Sequence, residues 1–302
     1  MSFSHDVKEE LCSLITDRNK EFASLYGMLL FGRHFNEDKV IFRTEHSAAA
    51  ALFVRLAEKF SGENGCTQTE ALSRKDGSVM YTVNVLTASA RKSLTLSFKH
   101  GENSPRRICE DIIDNSNIFA FIGGAFLSCG SITEPMKDYH LEFDIQTEEL
   151  CTDLRTLING MGINVKQTLR KSTYVIYLKG SEDIEDMLTL MGATKSSIEL
   201  MNVKIYKDVR NKANRIANCD SANIERTLAA SEKQIEDIEL IMARKGIEYL
   251  SPDLREIALV RLENPDVSLK ELGEMLDNPI GRSGANHRLK KISAIAEELR
   301  NR

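Results

Sequence analysis

The sequence predicts an α+β chain, in which a pseudo-symmetric α/β domain built from two repeats is followed by an all-α helix-turn-helix domain. Three observations predict it. A short apolar helix carrying glycine occurs twice, each copy is followed by the same order of strands and helices, and a run of capped amphipathic helices fills the final third. A length of 302 residues is long for one ordinary domain and comfortable for two or three, each with its own core. The expected organisation is a two-repeat domain over 1–206 (repeats about 1–105 and 106–206), a basic, polar linker over 207–230, and a helical domain over 231–302.

The first repeat contains Leu25-Tyr-Gly-Met-Leu-Leu-Phe-Gly-Arg33 and the second Ile122-Gly-Gly-Ala-Phe-Leu-Ser-Cys-Gly130. Gly27 matches Gly124. After a short turn comes an alternating strand, Val40–Thr44 in one copy and Leu141–Ile145 in the other, with Phe42 matching Phe143 and an insertion around Glu134-Pro135. Polar caps, Ser47 and Thr147, then open the amphipathic helices 48–60 and 148–161. Hairpin alternation follows over 67–85, around Asp76-Gly77, and over 165–178, around Lys171-Ser172. Each unit reads α-β-α-β-β, with a closing helix that is clear at 182–191 and less clear in the first copy.

Glycine inside an apolar helix costs about 1 kcal/mol relative to alanine, so it needs a packing reason. Close approach of two helix backbones is that reason, and the equivalent positions of the two glycine-bearing helices predict that they pack on each other. Here a resemblance enters. Ile122–Gly130 resembles the LAGLIDADG motif of homing endonucleases, and Leu25–Arg33 resembles a weaker second copy. In active members of that family the acidic residue near each helix end binds a divalent metal for phosphodiester cleavage. At the matching positions this chain has Gly32 and Cys129. A magnesium site needs hard carboxylate oxygens, so these degenerate former metal positions predict neither metal site nor catalytic residue. The nearest acids, Glu37, Asp38 and Glu134, fall beyond the motif.

The last third carries local positive charge in a chain whose net charge is −5. Between Val203 and Arg215, five cations face the single acid Asp208. Beyond this stretch, a helix is expected from Ser231 to about Lys245, stopped by Gly246. Ser251-Pro252 opens another helix, with serine as N-cap and proline at the first helical position, and Asn264-Pro265 ends it. Ser268-Leu-Lys-Glu271 is a capping box for a short helix with Leu269, Leu272, Met275 and Leu276 turned inward. After the turn Asp277–Arg282, Ser283 is expected to cap the last helix, whose apolar stripe is Ala285, Leu289, Ile292, Ala296 and Leu299. A step of about 100° per residue puts Ser283, His287, Lys290 and Lys291 opposite the stripe, with Asn286 and Arg288 on its shoulders. From Pro279 to Ile292 there are four cations and no acid.

A short helix followed by a basic, polar-faced one is the helix-turn-helix arrangement, whose second helix enters the major groove. The candidate DNA contacts are therefore Ser268 and Lys270 on the short helix, then Arg282, Ser283, Asn286, His287, Arg288, Lys290 and Lys291. The basic segment adds Lys204, Lys207, Arg210, Asn211, Lys212, Asn214 and Arg215.

Both halves together resemble the WhiA proteins of Gram-positive bacteria. The pieces most specific to the resemblance are Arg210-Asn-Lys-Ala-Asn-Arg215 leading to Asn218–Asn223, and Ser283–Lys291. The resemblance implies transcriptional control of sporulation in some members, and an association with cell division and chromosome segregation more widely. Hydrophobic content of 42% and charged content of 28% suit a soluble globular protein. The N-terminus is a polar helix start rather than a secretion signal. The most apolar stretch, 118–127, is too short to span a bilayer, and six scattered cysteines without Cys-x-x-Cys pairs predict reduced thiols. The expectation is a cytoplasmic, nucleoid-associated protein without cofactor, whose partner is double-stranded DNA. Two other readings stand beside it: a protein-interaction scaffold gripping a sigma factor or RNA polymerase, and a metal-dependent nuclease using displaced acids such as Glu37 and Glu134. Oligomeric state and operator are not specified by the sequence.

Overall fold

A computed structural model describes residues 2–13, 17–75, 77–100 and 105–301. Contacts divide the chain into two units, residues 1–207 and 208–302.

The first unit opens with α1 (Phe3–Ser13), whose Phe3, Val7 and Leu11 are buried at helical spacing. Two repeats follow. The first comprises α2 (Arg18–Leu30), β1 (His34–Phe35), β2 (Val40–Thr44), α3 (Ser47–Ser61), β3 (Thr67–Ser73), β4 (Val79–Val85) and α4 (Ala88–Ser97). The second comprises α5 (Ile118–Cys129), β5 (Gly130–Ile132), β6 (Leu141–Ile145), α6 (Glu148–Gly160), β7 (Lys166–Arg170), β8 (Thr173–Leu178) and α7 (Ser181–Met191). The antiparallel sheets have identical orders, β1-β2-β4-β3 and β5-β6-β8-β7. Their registers correspond too, Phe42 facing Val83 as Phe143 faces Ile176. The closing helix that the sequence leaves faint in the first copy is α4, which buries only Ala90, Leu94 and Thr95.

The repeats join through α2 and α5, as the glycines predict. A Cβ built on Gly124 would lie 2.1 Å from the Ser24 carbonyl oxygen, and one on Gly27 would lie 2.3 Å from that of Phe121. Neither side chain fits, so glycine sets the helix separation. One core, running from Phe3 to Leu200, covers both repeats.

Several local expectations need correction. His46, not Ser47, is the N-cap of α3, its Nδ1 accepting from the Ala49 N–H. Thr147 stands at the N-cap of α6 with no side-chain hydrogen bond. Gly77 has φ +84° at the first hairpin, while Asp76 lies outside the described residues. Lys171 takes φ +56° at the second hairpin. The segment 207–230 is not an irregular linker. It lies within α8 (Thr194–Lys245), a helix of 52 residues, which also absorbs the helix expected from Ser231. Polar composition concealed it, yet from Thr194 to Lys245 there is neither glycine nor proline to stop a helix.

The second unit adds α9 (Pro252–Glu263), α10 (Leu269–Glu274) and α11 (Arg282–Arg300) to the end of α8. Their core holds Ile238, Ile241, Ile257, Leu272, Leu289 and Ile292. Met275 follows α10 and is 49% exposed, contrary to expectation, whereas Leu276 is buried. The N-cap of α11 is Gly281, in extended backbone, so Ser283 sits inside the first turn of the helix instead of capping it.

Candidate nucleic-acid interface

Three devices fix α11 against its neighbours. The Arg261 guanidinium is 1% exposed and donates to the carbonyls of Asn264, Pro265 and Val267 at 3.3, 3.4 and 2.8 Å, closing the turn after α9. Ser231 Oγ donates to the same Pro265 carbonyl at 2.5 Å. Next, Ser268 and Glu271 form the expected capping box, Ser268 N–H donating to Glu271 Oε2 at 2.9 Å and Glu271 N–H to Ser268 Oγ at 3.3 Å. Finally, the turn from α10 into α11 presses on Gly273. Ile280 N–H donates to the Gly273 carbonyl at 3.0 Å, and a Cβ at Gly273 would meet the Ile280 carbonyl oxygen at 2.3 Å.

With α11 so held, its stripe Ala285, Leu289, Ile292, Ala296 and Leu299 is buried. Arg282, Ser283, His287, Lys290 and Lys291 are exposed and Asn286 is half-buried. No carboxylate among the described residues pairs with Arg282, Lys290 or Lys291. Arg288 is placed differently. It reaches Asp253 Oδ2 and Glu256 Oε2, both at 3.7 Å, and so ties α11 to α9. Lys270 is exposed, 3.8 Å from Glu274. The outer face of α11 from Arg282 to Lys291 therefore presents cations and hydrogen-bonding groups without an acid, the exposed Glu297 and Glu298 coming only in its last turns.

The basic run on α8 is divided by its surroundings. Lys204 pairs with Glu182 at 3.3 Å and Glu185 at 3.6 Å. Lys207 Nζ donates to the Pro135 carbonyl at 2.6 Å and sits 4.4 Å from the Tyr139 ring centre. Both are engaged within the first unit. Arg210, Asn211, Lys212, Asn214 and Arg215 are exposed.

At the ends of α2 and α5 lies a cleft of about 320 Å³, lined among others by Arg33, Arg43, Cys129 and Asp144. These residues do not fit a magnesium ion. Gly32 has no donor, and a Cβ there would stand 2.8 Å from the Met28 carbonyl oxygen. Burial pushes the Cys129 thiol well up, so it stays protonated. Among the described residues, Asp144 is the one carboxylate on the cleft wall, its pKa raised by burial and then by Glu142. Glu37, Asp38 and Glu134 do not line it, and Glu134 instead accepts from the Phe3 N–H at 3.4 Å.

Sequence reasoning missed Arg261, Gly273 and Asp144. A buried arginine gives no sequence signal, although Gly273 stands in a short helix where its cost asks for a reason.

The family model of the WhiA C-terminal helix-turn-helix domain matches residues 213–296, and that of the WhiA LAGLIDADG-like domain matches residues 118–210. Similar proteins include two named "Probable cell division protein WhiA". That of Clostridium beijerinckii is 41% identical and that of Clostridium acetobutylicum 39% identical, each alignment covering 99% of both chains. The solved full-length DUF199/WhiA from Thermatoga maritima is 28% identical, covers 99% of both chains and superposes with a TM-score of 0.60.

Proposed function

The chain belongs to the WhiA family, and we propose that it is a DNA-binding regulator with no catalytic activity, acting in cell division, chromosome segregation or sporulation. The observation that carries this reading is the outer face of the first half of α11, where Arg282, Ser283, Asn286, His287, Lys290 and Lys291 stand without an acid. Arg282 to His287 occupy the N-terminal end of the helix, the part that meets base edges when such a helix enters the major groove. Lys290 and Lys291 lie further along and hold phosphates. Lys212 and Arg215 on α8 add backbone contacts. Arg288 serves the domain's own packing, while Ser268 and Lys270 supply a flanking phosphate contact. A protein working on DNA in this way resides in the cytoplasm at the nucleoid.

The test is a salt titration of binding to specific and random duplexes. Lys290→Ala or Lys291→Ala is expected to weaken binding to every sequence alike and to lower the salt slope by about one unit for each phosphate left unneutralised. Asn286→Ala is expected to cost about 1–3 kcal/mol on the preferred site and little on random DNA. Full-length protein that binds no duplex even at low salt refutes the proposal and leaves the scaffold for a sigma factor or RNA polymerase as the reading to pursue.

A further inference from the structure

We propose that His5, Glu9 and His46 form a binding site for one divalent transition-metal ion of the zinc class, linking α1 to the start of α3. His5 and Glu9 are four residues apart on α1, hence on one helix face. His46 comes from a distant part of the sequence, immediately before α3. One donor atom from each of the three lies within 4.8 Å of the others. The imidazole ring centres are 4.1 Å apart, and His46 Nε2 stands 3.3 Å from Glu9 Oε2.

Two features point to a ligand rather than to packing alone. His5 Nδ1 is buried without a hydrogen-bond partner, its nearest charge being Asp6 Oδ1 at 3.8 Å. An orphaned buried nitrogen calls for an explanation, and an ion between the rings supplies one. The donor set is also selective. Two imidazoles and a carboxylate suit zinc or its neighbours in the transition series, not calcium or magnesium, which prefer all-oxygen shells. Three protein ligands leave a fourth position for water, and the Glu9 side chain, 61% exposed, opens that position to solvent.

Loading requires a small rearrangement. Zinc–nitrogen bonds of about 2.0–2.1 Å hold tetrahedral donors about 3.4 Å apart, so the cluster must close by about 1 Å. His46 and Glu9 are already at that spacing, and the partly exposed His5 and Glu9 side chains can make the remaining movement. Burial, followed by the neighbouring His5 ring, keeps His46 below the usual imidazole range, so it is neutral and available as a ligand at pH 7. Lys8 also faces this ring unfavourably, while Glu9 faces it favourably. Without metal, the Ala49 N–H donates to His46 Nδ1 at 3.4 Å, which leaves the ring proton on Nε2 beside the His5 carbonyl at 3.1 Å. Ligation through Nε2 moves the proton to Nδ1 and gives up that long cap. Metal entry is therefore coupled to the first turn of α3, and the Ala49 amide reports it.

The experiment uses the full chain, untagged and stripped with chelator, titrated with zinc against a chromophoric competitor and separately with cobalt(II). The expected result is one ion per chain and cobalt absorption typical of a four-coordinate nitrogen–oxygen site. Hydrogen exchange at the Ala49 amide should quicken on loading. His5→Ala and Glu9→Gln, each altering a partly exposed side chain, should keep the circular dichroism of the parent and lose at least tenfold in zinc affinity. Undiminished affinity in both variants, thiolate charge-transfer absorption marking cysteine ligands, or no stoichiometric binding overturns the proposal.

Discussion

Replacing Gly124 with alanine puts a methyl group where the backbone of α2 already stands. The added carbon would lie 2.1 Å from the Ser24 carbonyl oxygen and 2.9 Å from its carbonyl carbon. Carbon–oxygen contacts settle at about 3.3–3.6 Å, so α2 and α5 must part by roughly 1 Å. Both clashing atoms are backbone, and no rotamer change relieves them. Overpacking of this kind costs about 1–3 kcal/mol, here at the upper end because the whole helix pair must shift. Alanine's better helix propensity returns about 1 kcal/mol. The net expectation is a loss of about 2 kcal/mol, a shift of roughly 1 M in the urea midpoint. Gly160→Ala is the control, because it ends α6 with nothing within 4 Å of its added carbon; it should be neutral or stabilising. Tyrosine fluorescence in urea is the assay, since the chain has no tryptophan and every tyrosine except Tyr249 lies in residues 1–207. Gly124→Ala as stable as the parent, or more so, would refute close backbone approach as the reason for this glycine.

Three further outcomes are expected. Arg261→Met should leave the carbonyls of Asn264, Pro265 and Val267 without their shared donor, costing about 3 kcal/mol and speeding hydrogen exchange across 264–272; unchanged exchange would deny Arg261 its role. Glu21 is 3% exposed, and although burial alone would raise its pKa, Lys59 and then Arg55 hold it below the usual carboxylate range. Its stabilising effect is thus present above the unfolded pKa of about 4.3 and fades as pH falls through the lower folded value, so Glu21→Gln should cost about 1–2 kcal/mol at pH 7 and flatten the acid limb of stability against pH. Supercoiled plasmid incubated with the full chain in magnesium or manganese should remain intact, and Asp144→Asn should change nothing; chelator-sensitive nicking that survives repurification would contradict the assignment.

The duplicated glycine helices and the alternating strands are legible because their periods are strict and their exceptions costly. Gly27 and Gly124 reveal both the repeat and the contact that joins its halves. The α11 stripe is equally plain, with five buried apolar positions on one face of the helix. By contrast, α8 resembles a linker in sequence, because a polar helix has no stripe to betray it and only the lack of breakers speaks for it. The cap of α11 falls two positions before the expected one, since Ser283 is the better capping side chain but Gly281 has the backbone conformation. Arg288 reads as a DNA contact in sequence, whereas in the fold Asp253 and Glu256 lie beside it. The His5–His46 pair is invisible in sequence, because only the packing of α1 against α3 brings them together.

Doubling one α/β unit also doubles its open sheet margins. Among the described residues, the outermost strands, β3 and β7, pair with a strand on one side only and present their other row of amide and carbonyl groups to any extended chain. The opposite margins are brief, β1 having two residues and β5 three. On β7 the two ends are Lys166 and Arg170, and β3 carries Glu70 between Thr69 and Ala71, all exposed. A strand of another molecule approaching either margin would have to bring opposite charge or strip water from these groups. Resistance of these margins to strand addition thus rests on a few charged side chains along their rims, beside the exposed Leu72 and Leu169.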